Sequence, residues 1–205
     1  MRELFVSTAY LPPIAFYASI LKTDVYIMEK FETYVKQTYR NRCHIMTANG
    51  LLPLSIPIEK PNGSRSRMKD IQISNSVNWQ ANHWKAIESA YNKSPFFLYY
   101  RDEFEKFYTQ KYENLFDFNL ELIEFINTKI GMDKKIAFTE EYNHIPKKSK
   151  DARNRFHPKK DKCNFEFPHY YQVFEEKHGF VPNLSIIDLL FNEGPGSAFY
   201  LQSVK

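Results

Sequence analysis

The 205-residue chain reads as an α/β protein: one domain over residues 1–205, built on a mixed, mostly parallel sheet flanked by helices. Three observations predict this. Short apolar runs alternate with stretches of helical periodicity, the pattern of a sheet covered by helices. A strand, a helix and a second strand fit between Glu3 and Met28, an N-terminal βαβ unit that requires parallel pairing. An Asn-Gly pair between two apolar runs marks a hairpin at about 42–58.

The elements follow in order. Glu3–Ser7 (ELFVS) is a short buried strand. Thr8–Pro13 is a proline-bearing loop, and its last proline suits the opening of a helix over Ile14–Lys22. Asp24–Met28 is the second strand. Arg42–Thr47 and Leu51–Ile58 are the hairpin arms; Asn49-Gly50 supplies the positive φ angles, and Pro53 and Pro57 make the second arm an edge or irregular strand. Lys60–Lys69 is a polar loop, and Lys69–Ser74 alternates as a further strand. Three helices are predicted over Asn78–Asn92, Pro95–Gln110 and Glu113–Ile130, the last closed by Gly131. Lys135–Thr139 is a candidate strand. Near the C-terminus Asn183 caps a short helix through Phe191, and Gly194-Pro195-Gly196 breaks it.

Composition narrows the function classes. The net charge is +4, but residues 143–162 hold eight Lys or Arg against two Asp, so the rest of the chain is slightly acidic. One local basic segment suits a small anionic ligand, such as a phosphate or diphosphate, at least as well as a nucleic acid. The slightly acidic remainder argues against a nucleic-acid partner, so none is expected. No apolar run is long enough for a membrane span, and no secretory leader is visible, so the cytoplasm is the expected compartment. Cys43 and Cys163 form no Cys-x-x-Cys pair, so no metal site is expected. No phosphate-loop or dinucleotide glycine fingerprint is present, and the cofactor is left unknown. An aromatic content of 17% means an aromatic-rich core or a stacking wall for rings.

Several polar residues sit in apolar or strongly charged company. His83 shares a helix face with Trp79 and Ile87; it is either a hydrogen-bonded core histidine or an acid–base group. Asn119 lies on the apolar stripe of the long helix, as a structural cross-bridge or a ligand contact. Tyr39-Arg40-Asn41-Arg42 places two arginines two residues apart; on an extended segment they share one side and make a fork for an anion, with Lys36 nearby. Asp151, Arg153, His157 and Lys159 lie within ten residues of one another in the basic run. Asp188 interrupts the apolar tail NLSIIDLLFNEGP, three residues after Ser185. Neither Ser185 nor Cys43 has the surroundings of a nucleophile.

The segments DVYIMEKFETYVKQTYRNRCHI, WQANHWKAIESAYNKSPFF and NLSIIDLLFNEGP together resemble the WbqC-like protein family, and the likeness covers nearly the whole chain. DARNRFHPKK is similar to an Asp-x-Arg-x-x-(apolar)-His-Pro-Lys stretch of one branch of that family. Many relatives open with His-Gln-Pro-x-Tyr-Leu-Pro-Trp; here Tyr10-Leu11-Pro12 matches, but Val6 and Ser7 stand in place of the His and Gln. Relatives often carry an Asp pair where this chain has Lys30-Phe31, and Cys43 lies outside the family pattern. The family is associated with bacterial surface-polysaccharide and O-antigen gene clusters. The resemblance implies a pathway rather than a reaction. Within that pathway the expected function is an enzyme of precursor synthesis, with group transfer, acyl or aminoacyl among others, to a nucleotide-linked sugar.

The expected ligand is a small anion, a nucleotide sugar or an acyl donor. Lys36, Asn41, Arg42, Asn119, Arg153 and Lys159 are the candidate ligand contacts, and His157, His83, Asp188 and Asp151 the candidate catalytic groups. The competing reading is a non-catalytic binding or scaffold protein of the same pathway. A single cleft would require Arg42, His83, Arg153, His157 and Asp188 to converge. Oligomeric state is left open.

Overall fold

The computed structural model describes residues 2–142, 150–159 and 165–205. Cys163, Lys160 and the start of the basic run at 143–149 therefore lie outside the described residues. The architecture is α/β. Strands β1 (Glu3–Ser7), β2 (Val25–Glu29), β7 (Ile136–Phe138) and β8 (Lys150–Asp151) form a four-stranded sheet in the order β7-β2-β1-β8, every pair parallel. Helix α1 (Ile14–Leu21) joins β1 to β2. Every residue from Ile14 to Ile20 is buried, so this helix is apolar all round rather than amphipathic, as a helix covered on all sides must be. Helices α6 (Ile186–Glu193) and α7 (Ser197–Ser203) pack on it.

The hairpin forms from β3 (Arg42–Thr47) and β4 (Gly50–Ser55), with Thr47 opposite Gly50. Its turn therefore lies one residue earlier than predicted, on Ala48-Asn49, and of the Asn-Gly pair Gly50 alone takes a positive φ (104°). The predicted arm over Leu51–Ile58 is divided. Ile56 is drawn out of the hairpin by Asn41, which bonds its N–H through the backbone carbonyl and its carbonyl through the side-chain amide, both at 2.8 Å. Beyond Pro57, β5 (Ile58–Glu59) pairs with β6 (Gln72–Ile73).

Helices α2 (Trp79–Tyr91), α3 (Phe97–Thr109) and α4 (Leu115–Lys129) lie within two residues of their predicted limits. Asn114 caps α4 by accepting from the amides of Phe116 and Asp117, and Gly131 takes φ 67° just beyond its end. The aromatic residues build a core: Trp79, Tyr10 and Phe118 meet His83 or one another, while Phe97 and Phe104 turn edges to Phe191.

One correction concerns the tail. The predicted cap at Asn183 is displaced: Asn183 takes φ 57°, its Oδ1 accepts from the Ala15 amide at 2.9 Å, and Ser185 occupies the N-cap of α6. Gly194–Gly196 breaks the helix as predicted, since α6 ends at Glu193 with Gly194 at its C-cap; the segment forms a 3-10 turn that leads into α7, which was not foreseen. Short helix α5 (Glu175–His178) and strand β8 have no periodic signal in the sequence and were not foreseen.

Candidate functional site

At the carboxyl ends of the parallel strands the chain order reverses. From β1 the chain crosses to β2 on one side, while β8 arrives on the other side from far along the sequence. In open α/β sheets such a switch point is where ligands bind. Here it is filled by a buried polar network. Arg40 donates through Nε (2.9 Å) and Nη2 (2.7 Å) to the two carboxylate oxygens of Glu32, and Nη2 also donates to Ser7 Oγ at 2.7 Å. Ser7 Oγ donates to the Arg153 carbonyl at 2.9 Å. The Arg153 side chain donates to both oxygens of Asp151, at 3.0 and 2.7 Å, and Nη1 lies 3.4 Å from Glu29. Glu29 in turn accepts from the Phe31 amide and from Thr139 Oγ1, both at 2.8 Å. Two of the carboxylates, Glu29 and Glu32, bracket Lys30-Phe31.

Burial gives these pairs their weight. The Arg40 and Glu32 side chains are 3% and 7% exposed. Burial acts to raise the Asp151 pKa, but the Arg153 side chain and amide outweigh it and hold Asp151 below the usual carboxylate range. Asp151 lifts Arg153 correspondingly. The cleft left between the β1 and β8 loops, lined by Ser7, Thr8, Arg40, Arg153 and Phe156 among others, measures only about 20 Å³, room for about one water. The N–H groups at the start of α1 are no anion hole either. Ile14 N–H goes to the Leu184 carbonyl at 3.0 Å and Ala15 N–H to Asn183.

The arginine fork is resolved into two fates. Arg40 precedes β3 in a turn, so strand alternation does not apply to it, and its guanidinium points into the buried network. Arg42, on β3, donates to Ser55 Oγ at 2.9 Å and lines a separate hollow of about 420 Å³ with Tyr34, Lys36, Gln37, Asn41 and Lys60. Three cations line it, and no acidic residue does among the described residues. The Lys60 pKa is lowered, first by desolvation and then by the neighbouring Lys36 charge. Asn41 is not free to serve a ligand. Its amide accepts from Tyr34 Oη and donates to the Ile56 carbonyl, both at 2.8 Å. Lys159 reaches the rim, with Nζ 3.4 Å from Gln37 Oε1. Gln37 holds a positive φ of 58°.

His157 accepts the Lys159 amide at Nδ1 (3.1 Å), so its neutral ring carries the proton on Nε2. Asn119 is buried and donates to the Arg40 carbonyl at 2.8 Å, tying the long helix to the network.

His83 and Asp188 make their bonds elsewhere. His83 Nδ1 meets Tyr10 Oη at 2.9 Å, the same hydroxyl meets Tyr108 Oη at 2.9 Å, and the ring stacks on Tyr10. Desolvation lowers its pKa to about 4, against a backbone bond to Ser55. Asp188 Oδ2 accepts from Tyr170 Oη (2.6 Å) and Gln172 Nε2 (3.2 Å). Burial raises its pKa to about 6, against those donors and the nearby Tyr91 hydroxyl. Tyr91 Oη makes no bond of normal geometry among the described residues, which leaves Tyr170 and Gln172 as the firm donors. No described contact joins His83 or Asp188 to Arg153 or His157. The tail instead clasps the first loop: Ser185 Oγ donates to the Leu11 carbonyl at 2.9 Å and the Ile186 amide to the Pro12 carbonyl at 2.8 Å, around a Leu11 held at φ 42°.

The model of the WbqC-like protein family matches residues 8–157 and 149–199. The chain belongs to the WbqC-like protein family. A curated relative is the "Uncharacterized protein Rv1507c" of Mycobacterium tuberculosis (strain ATCC 25618 / H37Rv), 23% identical over 226 residues that cover 98% of this chain and 97% of that protein. No solved structure matches. No helix among the described residues of this WbqC-like protein is long and apolar enough to cross a membrane.

Proposed function

We propose that this WbqC-like protein binds a small anionic donor, a nucleotide sugar or an acyl donor, and transfers a group from it to a sugar in surface-polysaccharide precursor synthesis. The observation that carries the reading is the hollow lined by Lys36, Arg42 and Lys60 with no acidic lining residue among those described. Three cations without a lining counter-charge favour an anion, and a hollow of about 420 Å³ has the size of a small-molecule pocket. Lys159, from the loop that carries His157, stands at its rim.

In the transfer, the acceptor nitrogen or oxygen forms a bond to the donor's reacting carbon or phosphorus. The bond to the leaving group breaks with its electron pair, and the acceptor proton passes to a base. His157 serves once its Nδ1 releases the Lys159 amide. Cations at the hollow neutralise the departing anion. The non-catalytic reading is favoured by one observation: His83 and Asp188 are both held in core hydrogen bonds.

Thermal shift against nucleotide sugars and acyl-CoA donors tests the reading, with Arg42→Ala and Lys60→Ala as variants. These side chains are part-exposed, whereas removing Arg153 would strip a buried ion pair and unsettle the fold. A donor that stabilises the wild type and not the variants supports the proposal. No shift with any small anion, together with co-purifying proteins, supports the scaffold.

A further inference from the structure

A second and larger hollow lies at the opposite end of the sheet, where β1 and β8 begin and α1 ends. It measures about 540 Å³ and is lined by Arg2, Glu3, Ser19, Lys22, Lys150 and Arg155, with Phe165 as an aromatic wall. Among the described lining residues, four cations face one acid. The Lys22 ammonium and the Arg155 guanidinium each stand 5.1 Å from the centre of the Phe165 ring, so two like charges gather on one side chain. Lys22 also donates to the Val204 carbonyl at 2.8 Å, which fixes its ammonium in place. Asp24 Oδ2 accepts the Arg2 backbone amide at 2.7 Å and feels the Arg2 charge, but Asp24 does not line the hollow.

An independent observation comes from Ser19. It lines the hollow, is 6% exposed, and its Oγ has no hydrogen-bond partner among the described residues. A buried hydroxyl without a partner is costly, and native structures rarely leave one so. The gathered cations and the orphan hydroxyl have one common remedy, an oxyanion that accepts from all of them.

We propose that this hollow is a second anion site, separate from the Lys36–Arg42–Lys60 hollow, which takes the phosphate or diphosphate group of a small ligand. The separation is built into the fold: one site lies at the starts of β1 and β8, the other beside the segment 34–42 that crosses the strands' carboxyl ends.

Calorimetric titration with inorganic phosphate, pyrophosphate and a nucleoside diphosphate tests this in wild type, Lys150→Ala, Ser19→Ala and Arg42→Ala proteins. The expected result is that pyrophosphate or the nucleoside diphosphate binds, that Lys150→Ala weakens binding about tenfold and Ser19→Ala weakens it too, and that Arg42→Ala leaves this site's affinity unchanged. Tighter binding of the nucleoside diphosphate than of pyrophosphate would show that the organic part is also held. The proposal is overturned if no phosphate compound binds, or if binding is lost in Arg42→Ala while Lys150→Ala and Ser19→Ala bind as wild type. Ser19→Ala removes a hydroxyl that bonds nothing in the described structure, so it keeps the fold and guards against a trivial loss.

Discussion

Ser7 Oγ donates to the carbonyl of Arg153 across 146 residues of chain, and the same oxygen accepts from Arg40. One small side chain at the end of β1 thus joins two buried arginines, each with its own carboxylate. The carboxyl end of the sheet holds two buried arginine–carboxylate pairs beside the apolar core residues Val6 and Met28.

Breaking one of these pairs leaves its partner charged and buried. Glu32→Gln or Arg40→Ala should cost about 3–5 kcal/mol. For a chain of this size that lowers the melting temperature by about 10 °C. Replacing both by apolar residues should cost less than the two single changes combined, which a double-mutant cycle by chemical denaturation would reveal. Equal and additive losses would show that the pair is not coupled.

Two buried groups should give opposed pH dependences. His83 has a folded pKa near 4, below its unfolded value near 6.5, so its contribution is present above 6.5 and is lost as pH falls towards 4. Asp188 has a folded pKa near 6, above its unfolded value, so its contribution is present below about 4 and is lost as pH rises through 6. Each is worth about 3 kcal/mol across its window, and between pH 4 and 6 they oppose one another. In His83→Gln, stability relative to wild type should improve as pH falls. In Asp188→Asn it should improve as pH rises. Denaturant midpoints at several pH values measure both, and parallel profiles for all three proteins would contradict the assignment.

The Cys43 thiol should be inert in the folded protein. It is fully buried, and burial pushes its pKa far above the usual thiol range. In a Cys163→Ser background, a thiol reagent should label Cys43 only when denaturant is added. Rapid labelling of the native protein would mean that the hairpin opens.

Gly194 carries a conformational demand and a steric one together. Its φ is 52°, and a Cβ there would stand 2.5 Å from the Phe96 ring. Gly194→Ala should therefore destabilise by about 2–4 kcal/mol, read from chemical denaturation. Gly131→Ala, at φ 67° with nothing within 4 Å, should lose only the conformational part and so cost less.

Periodicity made most of the fold legible. The helices α2 to α4, the strand β1 and the hairpin rest on apolar spacing and turn chemistry that need no distant partner. Elements defined by partners were not legible. Strand β8 is two charged residues that become a strand by lying beside Leu4 and Phe5. Asn183 looked like a helix cap because the residue type suits one, but its amide oxygen is taken by Ala15, 168 residues away. The same distinction divides the site. Lys36, Arg42 and Lys159 could be picked out as local cations. Glu29, Glu32 and Ser7 could not, because nothing in their immediate text marks them as partners of Arg40 and Arg153.

The clasp between the first loop and the last helix also sets an order of events. Leu11 and Ser185 are 174 residues apart, so the loop after β1 must wait for that much chain to be made before its strained backbone gains its hydrogen bonds. The β1 strand, central in the finished sheet, has β8 as one neighbour and α1 behind it, and α1 takes its N-terminal partners from Asn183 and Leu184. Strands β1 and β2 are near neighbours in sequence and can pair without the tail, but the connection between them cannot complete its backbone hydrogen bonds until residues 183–186 are in place, so loss of that segment would leave Leu11, Pro12, Ile14 and Ala15 without these partners.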